Sequence, residues 1–117
     1  MKLAAVDVRC RHCGAAPDRD CRTPRGNPVP THETRKTTAR ELQAEVDAWN
    51  SAHPVGTLVR AYPGLRPDDP LAARFAPVTE VIGRTRTQAW VPKGQEQPVV
   101  MIHSYGAWIA LTHVDVI

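Results

Sequence analysis

The spacing Cys10-x2-Cys13-x7-Cys21-x10-His32 constrains this chain more than any other feature, because it gathers all three cysteines of 117 residues into one stretch. Two cysteines two residues apart can chelate one ion from a single turn, and two later ligands close a tetrahedron around it. Three thiolates and one imidazole fill all four positions and leave none for water or substrate. That is the structural kind of zinc site rather than the catalytic kind. The expected cofactor is therefore one structural Zn2+ held by Cys10, Cys13, Cys21 and His32. Two other readings of the thiols stay open. A Cys-x-x-Cys can be a redox pair, although here it follows no βαβ pattern and has a third cysteine nearby. Buried inert cysteines are the other, and they fit poorly in so polar and proline-rich a loop. For the fourth ligand, His12 sits awkwardly between two cysteines and His53 lies a full helix away, which leaves His32 best placed.

The flanking chain suits such a site. Val6-Asp7-Val8 reads as a short strand leading into Cys10-Arg11-His12-Cys13-Gly14, a tight knuckle whose glycine can take positive φ. Residues 15–30 hold Pro17, Pro24, Gly26, Pro28 and Pro30 and need pinning, which Cys21 and His32 would supply. A helix is expected from about His32 to Asn50. Thr31 can cap it, Glu33 opposes its dipole, and Ala39, Leu42, Val46 and Trp49 form one apolar stripe. It should stop before His53-Pro54, since proline pushes its predecessor out of the α region.

From Gly56 the pattern changes to short strands: Thr57–Ala61, Val78–Gly83, Thr85–Val91, Pro98–His103, Ala107–Leu111 and Val114–Ile117. Between the first two, Pro63–Pro77 is a long loop containing one helical turn at Asp69–Arg74. Ser104-Tyr105-Gly106 makes a hairpin turn and Thr112-His113 a tight one. The expected fold class is α+β: a small N-terminal zinc-binding module plus one helix over residues 1–52, then a small SH3-like β-barrel over 53–117.

Charge is uneven along the chain. Residues 1–40 carry nine lysines and arginines against four acids, and residues 41–117 carry six against eight. An anionic partner is thus expected at the N-terminal end. Arg22, Arg25, Arg35, Lys36 and Arg40 flank two ligands and the helix start, where they would suit phosphate oxygens. Arg35, one turn after His32, has a second role open to it, hydrogen bonding to a cysteine thiolate or a loop carbonyl. No recognition pattern for base edges and no aromatic stacking set is visible.

The runs Cys10-Arg11-His12-Cys13-Gly14-Ala15, Cys21-Arg22-Thr23-Pro24-Arg25-Gly26 and His32-Glu33-Thr34-Arg35 together resemble the small zinc-finger module of actinobacterial and actinophage proteins. The resemblance covers about residues 8–40. It departs from the family pattern at Arg11, where proline is common, and at Asp18, where glycine is common; neither position is a ligand. It implies a DNA-binding zinc finger.

No apolar run approaches the length of about 20 needed to span a membrane, and the opening residues are too short and too soon charged for a signal peptide. A cytoplasmic location with reduced thiols is expected. The chain has no His-x-Glu paired with Pro-Cys-x-x-Cys, no glycine-rich phosphate loop and no Gly-x-Ser-x-Gly. No enzymatic activity is expected. The favoured partner is nucleic acid, DNA over RNA, contacted through its backbone. The alternative is an adaptor whose barrel binds a partner protein.

Overall fold

The computed structural model describes residues 2–74 and 78–117. It contains one long helix and two small antiparallel sheets, and divides into two compact units. The first comprises Met1–Ala48 with Val91–Pro98, the second Trp49–Trp90 with Val99–Ile117.

In the first unit, the expected strand at Val6–Val8 is instead a 3-10 turn over Ala5–Asp7. The cause is local. The Asp7 carboxylate accepts the N–H of Ala4 at 2.8 Å while the Asp7 N–H donates to the Ala4 carbonyl, and together these close a turn before a strand can form. The helix α1 runs Glu33–Ala52 and ends just before His53-Pro54, as the proline requires. His32, rather than Thr31, directly precedes it, and its carbonyl accepts the N–H groups of Arg35 and Lys36. The buried face of α1 comprises Arg35, Thr38, Ala39, Leu42 and Val46.

Apolar packing in this unit is thin. Val8, Ala39 and Leu42 form its buried cluster, with Leu3 and Val91 packed against it. Burying a valine and a leucine contributes only about 3–6 kcal/mol. Ordering a proline-rich loop costs roughly 1–2 kcal/mol for each residue fixed. Such a unit needs a further source of order.

The second unit has a better core. Strand β1 (Leu58–Ala61) pairs antiparallel with β2 (Val81–Arg84) and β5 (Val114–Val116), giving the order β2-β1-β5. Its alternation is clean, with Val59 and Ala61 buried and Leu58 exposed. Strands β3 (Val99–Val100) and β4 (Ile109–Ala110) form a second antiparallel pair. Val59, Ala61, Val100, Ile102, Ile109 and Val114 make one buried cluster, flanked by Trp49, Val81, Tyr105 and Leu111.

The expected strand at Thr85–Val91 reduces to isolated bridges, Thr85 with Ile102 and Trp90 with Val99. Between them the Met101 N–H is taken by the Thr87 hydroxyl at 3.1 Å instead of by a main-chain carbonyl, so the ladder is interrupted. Turns of 3-10 helix form at Pro70–Arg74 and at Leu111–His113. The expected Pro63–Pro77 loop is described as far as Arg74, and its last three residues lie outside the described set. No pairing of β4 with β5 closes a barrel among the described residues. Among these residues, no helix is long and apolar enough to cross a membrane.

Candidate metal centre and basic surface

The knuckle forms because glycine is present where the chain must turn left-handed. Gly14 has φ 77°, and its N–H donates to the Cys10 carbonyl at 2.8 Å while the Cys10 N–H donates to Ala15. A second turn follows Cys21. Arg22 and Pro28 form an antiparallel bridge, Gly26 at φ 88° donates to the Thr23 carbonyl, and the Thr23 hydroxyl accepts the Asn27 N–H. Cys21 also accepts, through its carbonyl, the Val29 N–H. These bonds carry the chain from Cys21 round to His32 at the helix start.

The outcome is a cluster. The ligand atoms of Cys10, Cys13, Cys21 and His32 all lie within 4.8 Å of one another. Cys10 Sγ is 3.5 Å from His32 Nδ1. A tetrahedron with Zn–S of about 2.3 Å and Zn–N of about 2.0 Å has edges of roughly 3.5–3.8 Å, so the donor set and its spacing fit such an ion. The four side chains are positioned to bind a metal ion. His12, the rejected alternative, instead stacks on His32 with ring centroids 4.1 Å apart.

Each thiol has donors aimed at it. The amides of Cys13 and His12 donate to Cys10, but burial outweighs them and pushes its pKa up. The exposed Cys13 is held at about 6, chiefly by the amide of Arg22 and then that of Ala15. Cys21 accepts from the Arg35 guanidinium at 3.6 Å.

The five basic residues expected to face an anion are not equivalent. Arg35 is 1% exposed. Its Nε donates to Val8, Nη1 to Arg19 and to the Cys21 sulfur, and Nη2 to Val6 and Ala16. Of its two possible roles the structure shows the one with the cysteine sulfur and the loop carbonyls. An arginine buried with its donors spent presents nothing to a phosphate, and this corrects its place among the anion-facing residues.

The other four are exposed. Arg22 Nη1 donates to the Gly26 carbonyl at 2.8 Å and so braces the turn. Arg25 stands at the tip of that turn. Lys36 pairs with Glu33 at 3.2 Å and Arg40 donates to the Thr37 hydroxyl at 3.2 Å, contacts weak enough at a surface to be exchanged for a ligand. Sequence reasoning missed one structural contributor, the 91–98 segment, which joins this unit through ion pairs of Lys93 with Asp18 and Arg11 with Glu96. No signal in its composition marks it.

No curated protein and no solved structure matches the chain. Residues 2–53, which hold the four-ligand cluster, the buried arginine and the whole of α1, match a family model described as "Putative DNA-binding phage zinc finger domain".

Proposed function

We propose that the chain is a small zinc-stabilised regulatory protein that binds nucleic acid, DNA in preference to RNA, through the phosphate backbone. The ion is zinc, one per chain, held by Cys10, Cys13, Cys21 and His32 in a closed and non-catalytic site. The carrying observation is the four-ligand cluster fastening a turn that displays Arg25 at its tip, inside the stretch matched by a DNA-binding family description. Arg22, Lys36 and Arg40 supply the rest of the basic surface. The protein acts by binding, not catalysis, in the cytoplasm of an actinobacterium or of a cell carrying its phage.

For the second unit we favour an SH3-like arrangement. Supporting it are the order β2-β1-β5, the long loop after β1 and the 3-10 turn before the last strand. One observation favours the adaptor reading as a second possibility. Leu58, Ile82 and Ile117 are 37%, 50% and 51% exposed in this unit, apolar side chains that a protein partner would cover.

Electrophoretic shift across a salt series separates the two. Backbone binding gives an affinity that falls steeply with salt, and Lys36→Ala or Arg40→Ala should each lower the log–log slope by about one. Absence of binding to DNA and RNA at low salt would sink the nucleic-acid reading.

A further inference from the structure

Arg35 has five N–H donors, and all five have acceptors: four main-chain carbonyls and one cysteine sulfur. None of these acceptors is a carboxylate, and no acid lies within 4.0 Å of Arg35 among the described residues. At 1% exposure the guanidinium has no solvent to carry its charge either. Burying an uncompensated ion costs several kcal/mol, and carbonyl dipoles alone do not remove its net charge. A counter-charge must lie nearby.

We infer that the metal cluster is that counter-charge, and that Arg35 is a positioning residue that sets the charge state and affinity of the site. The inference rests on the zinc reading given above. Three thiolates around a divalent ion leave one negative charge, and one guanidinium cancels it. The two charges are joined through the Arg35–Cys21 contact at 3.6 Å, within reach of a hydrogen bond to sulfur. Four of the five hydrogen bonds also tie the segments before Cys10 and before Cys21 to α1, the helix that follows His32. One side chain therefore neutralises the cluster and gathers the backbone that delivers its ligands. Lysine could supply the charge without the carbonyl fork, and glutamine part of the hydrogen bonding without the charge.

The test compares the 117-residue chain with its Arg35→Gln and Arg35→Lys variants. Zinc affinity is read by competition with a chromophoric chelator, and the ligand field by absorption of the cobalt(II) form at saturating metal. Arg35→Gln should weaken zinc binding about 10–100-fold, the usual effect of losing a partner that supports a ligand. It should also move the sulfur-to-cobalt charge-transfer band to lower energy, since an N–H bond to Cys21 is lost. Arg35→Lys should recover affinity to within about tenfold of the parent, because charge is retained. Two results would overturn the inference: Arg35→Gln with unchanged affinity and an unmoved band, or Arg35→Lys no better than Arg35→Gln. The second outcome would make Arg35 a carbonyl clamp alone. Failure of the parent chain to bind zinc would instead overturn the metal reading on which this inference stands.

Discussion

Asp18 and Lys93 lie 75 residues apart in sequence and form an ion pair of 2.6 Å, which also raises the pKa of the lysine ammonium through the hydrogen bond and the charge of Asp18. Asp18 has the positive φ of 66°, and is the non-glycine residue recorded there among the described residues. The pair joins the 91–98 segment to the loop between Cys13 and Cys21, so one residue combines an unusual backbone with a long-range contact.

Those two properties make opposite demands on substitution. Alanine at position 18 loses the ion pair and keeps a Cβ in the left-handed region, a conformation costing about 1–2 kcal/mol. Glycine loses the same pair but removes the backbone cost. Both partners are 59% exposed, so the pair itself contributes little, and it is lost equally in both variants. Thermal melts should place Asp18→Ala about 1 kcal/mol below Asp18→Gly. An alanine variant as stable as the glycine one would contradict the left-handed assignment.

Metal removal should separate the two units. The buried apolar cluster of the first unit is only Val8, Ala39 and Leu42, whereas binding of structural zinc supplies an apparent 10–16 kcal/mol in small domains. The second unit has six buried apolar residues of its own. On addition of a strong chelator, amide resonances of residues 8–35 should collapse toward random-coil positions. Those of Val59, Ala61, Val100 and Ile109 should stay dispersed. Simultaneous loss of both sets would show that the second core depends on the ion.

Acid should weaken the first unit over a defined window. Cys13 has a folded pKa lowered from 9.0 to about 6, so between these values the unfolded chain holds a proton that the folded chain does not. Stability from this group is complete above about 9 and is lost as pH falls through 6. Without an ion, Cys10 is shifted the other way, from 9.0 upward, by burial. Metal ligation acts in the same direction, because thiols must be deprotonated to hold an ion, so with zinc present the melting temperature of the first unit should rise from pH 6 to pH 9 while that of the second stays level. A flat profile for the first unit would show that none of its thiols gives up a proton on folding.

Gly83 in β2 faces Ser104, whose hydroxyl donates to the Ile82 carbonyl at 3.2 Å. A Cβ at position 83 would collide with that hydroxyl, which can rotate away only by giving up the hydrogen bond. Gly83→Ala should therefore cost about 1 kcal/mol, the worth of one such bond. Added on a Ser104→Ala background it should cost less. A double-mutant cycle by denaturant unfolding measures the difference, and strict additivity would place the two residues out of contact.

The parts of this fold that are legible in sequence are those written in local spacing. The ligand set, α1 and its stop before Pro54, the turn at Gly26 and the β1 alternation all follow from neighbours a few residues apart. Features decided by distant groups are not legible. Thr87 interrupts an expected strand because its hydroxyl reaches Met101, and nothing in the 85–91 pattern says so. Arg35 has two roles open to it in the sequence, phosphate contact or support of the thiolates and loop, and only the five acceptors from residues 6 to 21 decide between them. Asp18 carries a partial signal, since it stands where glycine is common in the zinc-finger modules that the stretch resembles, and its φ is of the kind glycine favours.

Burial around the cluster is lopsided. Cys10 and Cys21 are 0% and 1% exposed, His32 is half-covered, and Cys13 lies open to solvent. Whatever the equilibrium strength of the site, its exchange kinetics are therefore governed from one side. With an ion bound, a chelator, a competing thiol or an oxidant would meet Cys13 first, while the sulfurs of Cys10 and Cys21 stay covered. A centre that is tight when judged by affinity can in this way still have a fast first step for release, set by one exposed sulfur.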